Sequence, residues 1–236
     1  MSFLRHTLLL LLVLLSPVAL KAQVGEPRSD LAWGVNGGYM MNQVSFNPTI
    51  KQTFKGGETF GLTLRYTCEK YFTAICAVQA ELNYANLGWK ENIEDSEDTY
   101  SRDVRYIQLP LLTRLGWGRE RRGGQFFFLL GPQFGYMISE TEHRSSPWAG
   151  RPRPNNVTAQ YDLKVQHKFE YGLTGGIGVE ISTRLGHFLL EGRYDDGLSD
   201  MIDNGKKDPF GRSGNGAIVA KASWLFDLIR TPGQIR

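Results

Sequence analysis

Eight stretches of the sequence alternate apolar and polar residues with a period of two: approximately 31–44, 58–68, 73–88, 103–117, 125–140, 165–184, 187–197 and 214–226. The fifth shows the pattern best. Phe126, Phe128, Leu130, Pro132, Phe134 and Tyr136 make one face, and Gln125, Phe127, Leu129, Gly131, Gln133 and Gly135 make a smaller, more polar one. A period of two belongs to the β-strand, whose successive side chains point to opposite sides. No helical period interrupts the series and no linker divides it, so the chain reads as one all-β domain.

The links between the segments are uneven in a regular way. Short ones follow the second, fourth and sixth segments (EKYF, GRERRGG, RLG), and long polar ones follow the first, third, fifth and seventh. In an up-and-down arrangement all short turns then lie at one end and all long loops at the other. Transmembrane barrels have this asymmetry and an even strand count. The predicted fold is an eight-stranded antiparallel up-and-down transmembrane β-barrel.

A soluble eight-stranded barrel alternates as well, and two features favour lipid outside. Gly34, Gly38, Gly61, Gly131, Gly135, Gly172, Gly176 and Gly178 all fall on the polar face. A crowded lumen needs missing side chains and a wet surface does not. Aromatic residues collect near segment ends, at Trp33, Tyr84, Trp117, Tyr136, Phe169, Tyr171, Phe188, Tyr194, Trp224 and Phe226, as interfacial girdles would. Each segment also reaches the ~9–11 residues a spanning strand needs. Pro110 and Pro132 are equidistant from Arg121 and are expected to face each other across the second hairpin, with a bulge compensating the missing donors.

The same phase fills the lumen with Arg65, Gln79, Glu81, Gln108, Arg114, Gln133, Glu170, Glu180, Glu191, Arg193 and Lys221. Glu81, Glu170, Glu180 and Glu191 balance Arg65, Arg114, Arg193 and Lys221, which predicts an interior ion-pair network, because buried charges must pair or be hydrated. An interior of this size is filled by side chains, so a plugged barrel is expected and not an open pore. The other reading, a catalytic pair among these carboxylates, suits their number and spread less well.

The first residues, MSFLRHTLLLLLVLLSPVALKAQ, read as a signal peptide over 1–22, cleaved before Gln23, with the barrel domain over 23–236. The apolar run is shorter than the ~20 residues of a spanning helix. No cysteine lies near the cut, which argues against a lipoprotein. Of the 27 lysines and arginines, Arg5 and Lys21 leave with the leader, so 25 stand against 24 acidic residues and the mature charge is about +1. That balance implies no nucleic-acid partner.

Cys68 and Cys76 lie either side of the first short turn, in phase with the apolar faces around them. In an exported chain they are expected to be near enough for a disulfide; the alternative is two small buried apolar residues. No catalytic residue, metal site or cofactor is indicated. His143, His167 and His187 have no nucleophile motif beside them, and the chain is not expected to be an enzyme. The acidic run EDSED (94–98) and the stretch from Asp203 to Asp208 lack the spacing of a calcium loop. The long loop HRSSPWAGRPRPNN (143–156) joins Arg144, Arg151 and Arg153 to Trp148, read here as exposed. It suits anionic lipid heads without specificity, or alternatively lipopolysaccharide phosphates or a partner protein.

VRYIQLPLLTRLG (104–116), FFFLLGPQFGYMIS (126–139), FEYGLTGGIGVEI (169–181) and LLEGRYDDGLSDM (189–201) resemble, in order and spacing, the PorT-like outer-membrane β-barrel proteins of Bacteroidetes. The two prolines, the Gly131–Pro132 pair, the glycine-rich sixth segment and the Arg193–Tyr194 step are the matching points. The resemblance implies an outer-membrane location, a monomeric barrel among outer-membrane lipid and lipopolysaccharide, and an accessory part in type IX protein secretion beside other secretion-system proteins. It supplies no catalytic residue. The alternative it leaves is a structural or ligand-binding surface barrel with no secretion role. The sequence ends SWLFDLIRTPGQIR, so an assembly signal at Trp224 or Phe226 would lie upstream of the end.

Overall fold

The computed structural model describes residues 26–93, 97–120, 122–146, 148, 157–161, 163–205 and 208–231. Among these residues are eight long strands: β1 (Glu26–Asn47), β3 (Lys55–Tyr71), β4 (Ala74–Glu91), β5 (Tyr100–Gly118), β6 (Gly123–Arg144), β7 (Phe169–Thr183), β8 (Gly186–Gly197) and β9 (Arg212–Ile229). A two-residue strand, β2 (Gln52–Thr53), adds to the loop-side end of β4. The order β4-β3-β1-β9-β8-β7-β6-β5 returns on itself through the β4–β5 pairing, so the sheet closes into a ring with every long neighbour antiparallel. First and last long strands close it from Leu31↔Ile229 to Asn47↔Arg212. Closure leaves no free edge, which a sheet in lipid requires.

The expected faces hold along each strand. The outer row of β7, for instance, runs Phe169, Tyr171, Leu173, Ile177, Val179 and Ile181, all exposed. Aromatic rings gather at both ends of this belt: Phe188, Trp224 and Phe226 stack near the short turns, and Phe60 stacks on Tyr84 nearer the loops. Phe126 and Phe128 are exposed while Phe127 between them is fully buried.

The glycines of the inner face have a cause other than side-chain crowding alone. A Cβ at Gly34 or Gly131 would strike the backbone of the next strand, at Trp224 O and Leu111 O respectively. At Gly178 the obstacle is the Phe127 ring. A narrow barrel curves its strands until their inner backbones nearly touch, and glycine is what allows it.

Register departs by one residue from the expected one in the second hairpin, and in the first only over the three pairs next to the turn; from Thr67↔Ala77 onward the first hairpin keeps the expected pairs. The first turn is Phe72–Thr73, with Phe72 at φ 53°, a conformation usually left to glycine. Glu69 therefore faces Cys76, and Cys68 falls at the irregularity between Thr67 and Glu69. The expected bridge is absent: both cysteines are free, and the Cys68 thiol lies 3.3 Å from the Cys76 carbonyl oxygen. The two prolines do not face each other either, since Pro110 pairs with Gln133. A one-residue slip sends side chains to opposite faces, and Pro110 points inward while Pro132 points outward. Each interrupts one ladder without a bulge: β4–β5 skips from Ala80↔Leu111 to Asn83↔Gln108, and β5–β6 from Pro110↔Gln133 to Thr113↔Leu130. Hydrogen bonds on both sides hold the register, and the irregularity of β5–β6 lies instead between Arg105 and Tyr106. The expected strand over 165–184 begins later, at Phe169, because the backbone N–H groups of Gln166 and His167 donate to Met201 O and tie the loop ends together.

Candidate functional site

The lumen is filled in layers. In the middle, Glu81 of β4 accepts from Arg193 of β8 at 2.6 and 3.0 Å and from Lys221 of β9 at 2.6 Å. Gln79 and Asn83, on the same inward row, donate to the same carboxylate at 2.7 and 2.9 Å. Arg193 Nε also holds Glu191 at 2.8 Å. A second group lies beside it: Arg65 of β3 donates to Glu180 of β7 at 2.7 Å, and Arg114 of β5 donates to the same oxygen. Arg114 reaches Gln125 as well, and its guanidinium stands 3.9 Å from the centre of the Phe127 ring. Asn36 of β1 donates to Thr63 and Asn83 at 2.8 and 2.9 Å. Inward phase alone puts these side chains inside, and closure of the ring brings them together.

Seven of the eight residues expected in the network join it. Glu170 does not: its carboxylate accepts from Asn215 Nδ2 at 3.0 Å and pairs with no cation among the described residues. The cations expected for it are committed elsewhere, to Glu81, Glu180 and Glu191.

Toward the short turns the sequence reading missed a cluster. His187 Nδ1 lies 2.6 Å from Glu180 Oε1 and 2.9 Å from Ser182 Oγ, and Nε2 lies 3.1 Å from both oxygens of Asp227. Ser182 and His187 face each other across β7–β8, a pairing readable only once register is known. The residue types are those of a nucleophilic triad, but the arrangement differs. Carboxylates address both ring nitrogens, which a ring donating from both satisfies, and such a ring cannot take the serine proton.

The loop-side third is apolar. Met40, Val44, Phe46, Leu87, Trp89, Tyr100, Val104, Tyr106, Met137, Ala217 and Val219 point in from the strands, and Ile50, Val165, Met201, Ile202 and Phe210 come down from three loops to complete a buried cluster. The third loop folds back over it. Glu91 accepts from Gln160 at 3.0 Å and from the Tyr161 hydroxyl at 2.8 Å, while Arg102 donates to the carbonyl oxygens of Leu163 and Gln160. Trp148, expected to be exposed, is half-buried against this cluster, 5.2 Å from the Tyr161 ring. Arg144 stacks 5.6 Å from the Trp148 centre and pairs with Glu142 at 2.8 Å. Both pack over the mouth, because aromatic area gains more by burial than by exposure. Arg151 and Arg153, like the leader and most of the acidic run, lie outside the described residues.

Charged middle and apolar mouth together close the lumen. The purified protein is expected to give no steady ionic conductance in a planar bilayer; discrete, long-lived channel openings would show that the mouth does not stay shut.

A closed ring with an apolar outside and a filled, paired inside is an integral β-barrel of the outer membrane. The chain belongs to the family described as "Outer membrane protein beta-barrel domain", whose model matches residues 21–203. Among solved structures, the chain is similar to the attachment invasion locus protein Ail of Yersinia pestis in complex with the heparin analogue sucrose octasulfate (12% identity, 84% of this chain, 99% of that chain, TM-score 0.37). It is also similar to Neisserial surface protein A (10%, 85%, 100%, TM-score 0.42) and to OprG from Pseudomonas aeruginosa (14%, 86%, 98%, TM-score 0.39). No curated protein matches the sequence.

Proposed function

We propose that this outer-membrane barrel acts as a monomeric, non-enzymatic accessory component of type IX protein secretion and carries no cargo through its own lumen. The observation behind the second half is the filled interior: Glu81, Arg193, Lys221 and Glu180 are nearly sealed from solvent at its centre, and the aromatic cluster corks one end. Moving a polypeptide through would break every one of those ion pairs at once. The secretion role rests on the resemblance of residues 104–116, 126–139, 169–181 and 189–201 to the PorT-like proteins. Partners then meet its rims or its outer belt. A groove of about 650 Å³ lined by Tyr136, His167, Lys168, Phe169 and Tyr171 on the loop side favours lipopolysaccharide as an outer-leaflet neighbour.

Deleting the gene tests the role. Cargo bearing type IX signals is expected to stay in the periplasm and to reach the surface again on complementation. Normal export in the deletion strain would remove the secretion role and leave a surface barrel whose ligand must be sought at the loops.

A further inference from the structure

Glu170 is the lumen carboxylate that the ion-pair network leaves out, and around it stand amides and the Tyr106 hydroxyl but no cation among the described residues. It is 8% exposed, on the inner face of β7 near the boundary between charged layer and apolar cork. Its Oε1 takes the Asn215 amide N–H at 3.0 Å, while its Oε2 and the Asn215 Oδ1 have no hydrogen-bond partner. Both residues line a small cavity of about 10 Å³ with Gln108, Gln133 and Asp195. Glycines keep the space clear: a Cβ at Gly197 would lie 2.8 Å from Glu170 Oε1, and one at Gly135 would lie 3.3 Å from Oε2.

A cavity of about 10 Å³ holds roughly one water-sized particle. A water would satisfy two acceptors and leave the charge unanswered, and an isolated buried carboxylate is costly. Asp195 raises that cost. It is a second acid on the same cavity, its hydrogen bond comes from the Thr174 hydroxyl, and the cations near enough to act on its charge, Arg193 and Lys221, are bonded to Glu81 and Glu191. The donors facing the space are oxygens and amides, with no histidine or cysteine, which suits a hard ion and not zinc or copper. No group of three or more acids, histidines or cysteines placed to hold a metal occurs among the described residues, so the acid cage of a calcium site is absent there.

We propose that this cavity binds a sodium-sized monovalent cation through the free oxygens of Glu170 and Asn215, with Asp195 adding negative charge nearby. The ion joins the inner faces of β7, β8 and β9 just below the cork, and supplies Glu170 with the positive charge that no described side chain gives it.

The test uses the full mature chain in detergent micelles at pH 8. Equilibrium dialysis against radioactive sodium is expected to show one ion retained per chain, and thermal unfolding in sodium chloride is expected at higher temperature than in choline chloride of equal ionic strength. Glu170→Gln, which keeps shape and removes charge, should retain no sodium and melt alike in both salts. Asn215→Ala keeps the carboxylate and should bind about tenfold more weakly, which serves if the first variant does not fold. Identical melting of the wild type in the two salts without sodium retention would overturn the proposal in favour of a proton or a water. Sodium retained equally by Glu170→Gln would place the ion elsewhere and overturn it too.

Discussion

Arg193→Met is expected to cost the folded barrel roughly 3–5 kcal/mol, the usual result of removing one partner from a buried pair. Arg193 is 5% exposed and answers both Glu81 and Glu191, so its loss leaves more carboxylate than Lys221 alone can balance. Guanidinium unfolding in lipid vesicles measures it. The companion experiment is Glu81→Met with Arg193→Met. Glu191 and Lys221, direct neighbours across β8–β9, then remain as an equal pair, and much of the stability should return. A double variant as unstable as the sum of the singles would mean that the two side chains do not couple. A cost below about 1 kcal/mol for the single change would place the network in water, where ion pairs contribute that little.

The second large effect belongs to the outside. Ile177 is half-exposed near the middle of the outward row of β7, and Phe226 sits in the girdle near the short turns. Ile177→Arg is expected to destabilise by about 2–4 kcal/mol and Phe226→Arg by roughly 1 kcal/mol or less, because the cost of a cation falls from the bilayer centre to its interface. The same vesicle unfolding measures both. Equal costs at the two sites would contradict the assignment of this face to lipid.

The belt of the barrel meets lipid and its interior meets itself, which leaves the rims, loops and outer grooves for recognition. In the third loop, Trp148 and Arg144 are engaged with Tyr100, Tyr161 and Glu142 over the mouth.

The sequence by itself determined the strands, their inward and outward faces, and the alternation of short turns with long loops. The period of two is a property of the local backbone, so it can be read one residue after another. That is why Arg65, Glu81, Arg114 and Lys221 could be placed in the lumen before any contact was known. What only the tertiary structure decided depends on register and closure. A two-residue turn at Phe72–Thr73 sets Glu69 opposite Cys76 and leaves Cys68 as the extra residue at the irregularity that restores the register, and the next hairpin separates Pro110 from Pro132. Arg65 meets Glu180 across the barrel at a separation of 115 residues, while Glu170, on the same strand and phase as Glu180, meets no cation among the described residues. Sequence phase assigns a side chain to the inside; the stagger with which the ring closes assigns its height there, and height selects its partner. The cork is likewise tertiary, because its loop residues carry no period and find their place only by burying apolar area against a mouth that closure has already formed.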